Sequence, residues 1–149
     1  MLTNLAINHT LQVDGKIGDQ GNIVYNASSP DELALVNGAR FLGITYTGRN
    51  ATDNNIFTVS FKGEETRSYE LLTTIEFNST RKRMTSVFKD MQNGDIRVMC
   101  KGADSIILPL LKDRETPAIA NLCNTTIDYM DNFAKEGLRT LLIAEKVLT

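Results

Sequence analysis

Residues 84–101 contain two strand-like runs, MTSVF and IRVMCK, around the tetrapeptide QNGD. Asn-Gly is a strong hairpin signal, because both residue types accept the positive φ that tight hairpin turns demand. An antiparallel pair is therefore expected here, and the flanking segments extend it. Residues 44–47 (ITYT) and 56–61 (IFTVSF) are strand-like around an Asn/Gly loop at 48–55. YELLTTIEF at 69–77 is a further strand, and RTLLIAEKVL at 139–148 a last one. A short strand at 23–25 follows a polar, Gly-rich stretch, 14–22, which reads as a loop.

Helical signals lie between these strands. Ser29 suits an N-cap, Pro30 the first helical position, and Asp31 and Glu32 the positive end of the helix dipole. Leu33, Val36 and Ala39 recur at helical spacing and Gly43 supplies a stop, so the pattern predicts a helix over 30–42. GADSIILPLL at 102–111 starts another near Asp104 or Ser105, with Pro109 ending it early. Residues 117–136 form a longer amphipathic helix with Ile119, Leu122, Cys123, Ile127, Met130 and Phe133-Ala134 as its apolar stripe, and Gly137 suits its C-terminal cap. Turn-linked strands with helices grouped between them give an α+β domain: an antiparallel sheet flanked by helices. The parallel alternation of a dinucleotide-binding fold is missing.

The bulk numbers remove several function classes. The 149 residues suit one domain, spanning 1–149, and a net charge of −2 argues against a general nucleic-acid binder. No run of 18 apolar residues and no signal-peptide pattern occurs. Cys100 and Cys123 lie in apolar stretches without a CxxC pair and read as reduced core residues. One histidine, His9, leaves no zinc site and no Ser-His-Asp or Cys-His set. Five N-x-[ST] triplets read as ordinary Asn-rich composition rather than glycan acceptors. GITYTGRN at 43–50 has the glycine spacing of a P-loop, but Arg49 and Asn50 stand where Lys and Ser/Thr are required. No acid/base carboxylate pair is evident, so no residue is assigned a catalytic role and none a metal.

Four segments stand out: SSPDELALV (28–36), FNSTRKRM (77–84), KGAD (101–104) and EGLRTL (136–141). In this order and at this spacing they resemble the signature segments of the nucleotide-binding domain of P-type ATPases, specifically the type IV subfamily, the phospholipid flippases. NHT at 8–10 and VYNASSPDE at 24–32 also fit that family's run into the domain, so the resemblance covers nearly the whole chain. The family's phosphorylation motif (DKTG), dephosphorylation motif (TGES) and hinge motif (GDGxND) do not occur. The chain thus resembles one domain excised from a larger membrane ATPase.

The resemblance implies ATP as ligand, with Mg²⁺ accompanying the nucleotide and bound mainly by absent domains. It implies that Phe77 stacks on adenine; read alone, Phe77 is more readily a core residue, because phenylalanine is commonly buried. Lys101 is placed in the ATP pocket, with Gly102 and Ala103 letting a ligand approach the backbone; read alone, Lys101 is a strand-end lysine snorkelling to solvent. Glu32 would accept a proton of the adenine amino group, a contact guanine cannot make; read alone, it complements the helix dipole. Asp31 reads as structural. Arg139, with Thr140 beside it, would hold ribose or a phosphate oxygen, and Lys82 would approach the phosphates. Ser79 and Asn78 would add hydrogen bonds beside the base. Ser79 also stands where calcium-pump relatives carry arginine, which favours the flippase subfamily. Arg81 and Arg83 alternate with Lys82 on a presumed strand and are expected on its opposite face.

The implied partners are ATP and the phosphorylation and actuator domains of the parent chain. Nucleic acid and direct membrane contact are not expected. The isolated domain should be soluble and monomeric, the parent integral to a membrane with this domain on the cytoplasmic face. A regulatory module that keeps the fold without binding nucleotide, or a flippase-like region of a fused signalling protein, are the competing readings.

Overall fold

The computed structural model describes residues 1–17, 23–111 and 116–148. The chain opens with a short helix, α1 (Leu2–Ile7), and a two-stranded antiparallel ribbon, β1 (Gln12–Ile17) and β2 (Ile23–Asn26). Helix α2 (Pro30–Phe41) leads into six strands: β3 (Ile44–Arg49), β4 (Ile56–Phe61), β5 (Glu65–Ile75), β6 (Arg83–Asp90), β7 (Ile96–Gly102) and β8 (Leu142–Leu148). Between β7 and β8 lie α3 (Asp104–Ile107), a 3₁₀ turn (Leu108–Leu110) and α4 (Pro117–Lys135).

The six strands form one sheet in sequential order, every neighbouring pair antiparallel. This is the α+β arrangement expected from the turn signals. The Asn-Gly hairpin forms as β6–β7, with Gly94 in the left-handed region at φ 81°. The 43–50 segment is strand β3 rather than a phosphate loop at a helix start.

Burial follows the pleat. In β6 every second side chain points inward: Met84, Ser86, Phe88 and Asp90 are buried. Phe88 meets Phe57 edge-on at 5.3 Å, and Phe57 in turn packs with Tyr46. Val36 and Ala39 of α2 and Ala6 and Ile7 of α1 close this core.

Helix α2 starts as its caps dictate. Ser29 Oγ accepts from the Glu32 N–H at 3.4 Å, and Gly43, at φ 93°, terminates the turn after Phe41. Helix α4 also forms where periodicity places it, with Thr116 Oγ1 accepting from the Ile119 N–H and Gly137 at φ 80° ending it. Its stripe, however, is not packed. Among its residues only Met130 is buried, while Ile119, Leu122 and Phe133 remain exposed. Amphipathic spacing specifies a face suited to burial, and no described element covers this one.

Four further expectations change. Of the loop expected at 14–22, residues 14–17 belong to strand β1 and residues 18–22 lie outside the described residues. The strand expected at 69–77 begins earlier and stops at Ile75, and the last strand begins at Leu142 rather than Arg139. Cys100 and Cys123 are both free, but each is only half-buried.

Gly102 shows why a glycine stands at the end of β7. A Cβ there would lie 2.6 Å from the Lys82 carbonyl oxygen and 2.7 Å from Arg83 Cβ. Arg83 opens β6 and Lys82 immediately precedes it, and the junction is pinned by the Ala103 N–H donating to the Lys82 carbonyl at 3.0 Å. Gly102→Ala must push these strand ends apart. We expect it to cost about 1–3 kcal/mol, the usual scale of overpacking, measured as a lowered urea midpoint. An unchanged midpoint would show that the strand ends separate freely.

Candidate functional site

The N-terminus of α2, the end of β7, the 76–82 turn, residues 139–141 and the segment after α1 converge on one cleft of about 440 Å³. Such a volume falls within the range of small-molecule sites, about 300–1,000 Å³. Sheet register sets its floor. Met84 of β6 pairs with Lys101 of β7, and both line the cleft.

Lys101 is 8% exposed, so the snorkelling expected of a strand-end lysine is not seen. Its Nζ lies 3.0 Å from Glu32 Oε1. The other Glu32 oxygen, Oε2, accepts from the Thr10 hydroxyl at 2.8 Å and from the Thr10 N–H at 3.2 Å. Burial alone pushes the Glu32 carboxyl up, but the Lys101 charge and the bonds from Lys101 and Thr10 more than reverse this, leaving it below the ordinary value. Burial pushes the Lys101 ammonium down, with Glu32 opposing. The outcome is a buried ion pair whose carboxylate keeps one free lone-pair direction on Oε1.

Phe77 lies two residues beyond the end of β5, in the 76–82 turn, and is 60% exposed while lining this cleft. It is not a core residue. Arg139 and Asp31 also line this cleft, and Arg139 Nη2 pairs with Asp31 Oδ2 at 2.9 Å. The Arg139 side chain is 84% exposed, so the pair is open to exchange with solvent or another anion.

The cleft thus brings together Glu32, Phe77, Lys101, Gly102 and Arg139. Ser79 and Lys82 share the Phe77 turn and are exposed, but they do not line the cleft. Thr140 lines an adjoining apolar groove with Tyr129, Met130 and Phe133. The small size of Gly102 serves its packing against the Lys82 carbonyl, so the space expected for a ligand is filled by the chain itself.

Strand alternation does not govern Arg81–Arg83, because β6 starts only at Arg83. Residues 78–82 form a tight turn in which Asn78 Oδ1 accepts from the Thr80 and Arg81 N–H groups, and Lys82 adopts φ 50°. The Asn78 oxygen is therefore committed to the turn.

Thr10 was not among the residues expected at the site. It makes two bonds to a carboxylate 22 positions away, and no local pattern announces them. Among the described residues no three His, Cys, Asp or Glu side chains stand together as a metal site, and no helix is long and apolar enough to cross a membrane.

The family model of the P-type ATPase cytoplasmic domain N matches residues 2–149. Phospholipid-transporting ATPase DNF1 of Chaetomium thermophilum is 41% identical over 145 residues, covering 97% of this chain and 9% of that protein. Phospholipid-transporting ATPase DRS2 of Saccharomyces cerevisiae is 40% identical over 143 residues, covering 96% of this chain and 10% of that protein. Human phospholipid-transporting ATPase ID is 41% identical over 144 residues, covering 97% of this chain and 11% of that protein. The chain spans about a tenth of the length of these relatives. The chain belongs to the family of P-type ATPase cytoplasmic N domains, and its relatives at this level of identity are phospholipid-transporting members.

Proposed function

We propose that this domain holds ATP in the cleft and presents its γ-phosphate to an aspartate on another domain of a longer membrane ATPase. The observation that carries the reading is the exposed Phe77 ring beside the buried Glu32–Lys101 pair in a single cleft. Phenylalanine is usually buried, and a side chain left in solvent at the cleft that holds Glu32 and Lys101 offers a ring face to a base. With adenine stacked there, the free lone pair of Glu32 Oε1 accepts from the exocyclic amino group. Guanine would bring an oxygen to the same point and be repelled. The two protons of Lys101 not used by Glu32 remain for a ring nitrogen or a phosphate oxygen. Arg139 would exchange Asp31 for a phosphate or ribose oxygen. Ser79, Lys82 and Thr140, adjoining Phe77 and Arg139 in sequence, would contribute at the rim.

Bound ATP supplies the phosphoryl group, and its Mg²⁺ would be held largely outside this domain, which offers no ligand cluster among its described residues. In the parent, the phosphorylation and actuator domains would be the partners, phospholipid translocation the work, and the cytoplasmic side of the membrane the location. The isolated domain would be a monomer that binds ATP weakly, because both cleft cations already have carboxylate partners. Weak binding suits a donor site that must release ADP.

Those internal pairs are also the one observation favouring a module that keeps the fold without binding nucleotide. Titration of ATP into the isotope-labelled domain separates the two readings. We expect amide shifts centred on 76–82 and 101–103, and Phe77→Ala should weaken binding by about 5- to 150-fold, the equivalent of about 1–3 kcal/mol of stacking. No perturbation at millimolar ATP would exclude the nucleotide reading.

A further inference from the structure

The contacts around Glu32 reach beyond the residues that face a ligand. Glu32 Oε2 is occupied from one direction only, by the hydroxyl and the N–H of Thr10. The segment carrying Thr10 is itself clamped by its neighbour. The His9 ring is 4% exposed, its Nε2 lies 2.8 Å from the Ala6 carbonyl and its Nδ1 accepts from the Leu11 N–H at 3.1 Å. These two bonds bracket Thr10 and require the neutral ring with its proton on Nε2. Asn8 ties the same turn to β7 by donating to the Met99 carbonyl at 3.4 Å. The backbone on either side of Thr10 is thus anchored in the core, while Thr10 itself stands in the cleft wall.

Resting on the nucleotide reading above, we infer that Thr10 is the positioning residue for base recognition: it holds the Glu32 carboxylate with Oε2 turned away and Oε1 presented to Lys101 and the purine edge. A carboxylate gripped on one oxygen by two fixed donors cannot rotate about its terminal torsion. Without the hydroxyl, Glu32 keeps a single N–H contact and Lys101, and its orientation is free to vary. Thr10 contacts no base itself and acts through Glu32, so its removal should alter discrimination more than affinity for nucleotides in general. The charged and titratable groups around the carboxylate are Lys101 on β7, Asp31 on its own helix, Glu76 and Arg139 at the rim, and His9 behind Thr10.

The test uses the 149-residue domain with Thr10→Val, which keeps the shape and removes the hydroxyl, and Thr10→Ser, which restores it. Two quantities are read: the Glu32 carboxylate titration by side-chain ¹³C NMR, and the ratio of ATP to GTP dissociation constants. We expect Thr10→Val to move the Glu32 titration upward and to weaken ATP by about three- to tenfold, the scale of one hydrogen bond, with GTP little changed. Thr10→Ser should return both to wild type. A Glu32 titration unmoved in Thr10→Val overturns the positioning role. A moved titration with an unchanged ATP-to-GTP ratio, or equal weakening of both nucleotides, overturns the role in recognition and leaves Thr10 a structural support. A wild-type domain that takes up neither nucleotide overturns the cleft reading itself, and the Glu32 titration then still decides whether Thr10 holds the carboxylate.

Discussion

Lys101→Met is expected to destabilise the domain by about 3–5 kcal/mol at pH 7, the scale of breaking one half of a buried ion pair. The reason is the partner left behind. Glu32 and Lys101 are 3.0 Å apart with side chains only 13% and 9% exposed, so removing the ammonium strands a carboxylate in a poorly solvated place. Methionine fills the volume of the lysine stem, which separates loss of charge from loss of packing. Glu32→Gln should then rescue Lys101→Met, because the neutral amide oxygen still accepts from Thr10 and no longer needs a counter-charge. Urea unfolding of wild type, both single variants and the double variant gives the coupling directly. Acid should rescue the single variant as well. Without Lys101, burial at Glu32 is opposed only by the Thr10 bonds, so its pKa rises from the depressed wild-type position. The variant's folded state then gains a proton more readily than the wild type's, and the penalty relative to wild type shrinks as pH falls. Additive single-variant effects, or a Lys101→Met loss under about 1 kcal/mol, would mean that water already screens this pair as at a surface.

This pair also marks the limit of what local sequence conveys. The six-stranded sheet was legible because its signals are local: Asn-Gly between apolar runs, Ser-Pro-Asp-Glu before a helical stripe, glycine after it. Where the signals were weak, elements went unseen. Helix α1 has six residues and no side-chain cap, and β1 is interrupted by an irregularity between Val13 and Ile17 that contains Gly15 at φ 70°. The stripe of α4 is plain in the sequence as a pattern, yet pattern does not say whether a partner lies in the same chain. At the cleft, quoted motifs pointed to Glu32, Phe77, Lys101 and Arg139. Their state was not legible, because Lys101 meets Glu32 across 69 residues and Phe77 stands free only because β5 ends two residues earlier. Alternation failed for Lys82 because a left-handed turn, not a strand, carries it. Thr10 was invisible for the same reason as the ion pair: its function is a contact made by the fold.

The histidine behind Thr10 should make the domain acid-sensitive well above the carboxylate range. Burial holds the His9 pKa down to about 4 against an ordinary 6.5, and the neighbouring Lys101 and Arg49 charges add to the effect. Its ring is packed edge-on against Tyr46 at 4.6 Å and beside Phe57 at 5.9 Å, with both nitrogens committed to backbone groups, one as acceptor. A protonated ring could not accept from Leu11, so the folded state resists the proton that the unfolded chain takes up. Between pH 6.5 and 4 the unfolded state therefore binds more protons, and stability must fall as pH falls. The full loss is about 3 kcal/mol, of which about 2 kcal/mol should appear between pH 7 and pH 5. His9 is the only histidine in the chain, so the assignment is direct. Glu32 also loses its contribution on acidification, but at lower pH. Its depressed pKa keeps that contribution whole above the ordinary carboxylate value, and it is lost only as pH falls below that value, under the pH 5–7 range measured. Urea midpoints measured at pH 7, 6 and 5 should decline for wild type and stay level for His9→Gln, which lowers stability overall through lost ring packing but has nothing to protonate. Parallel slopes for the two proteins would show that His9 accepts its proton in the folded state. Because His9 brackets Thr10, the same acid step should loosen the cleft wall first, and amide exchange at Thr10 and Leu11 should accelerate before exchange in β6 and β7 does.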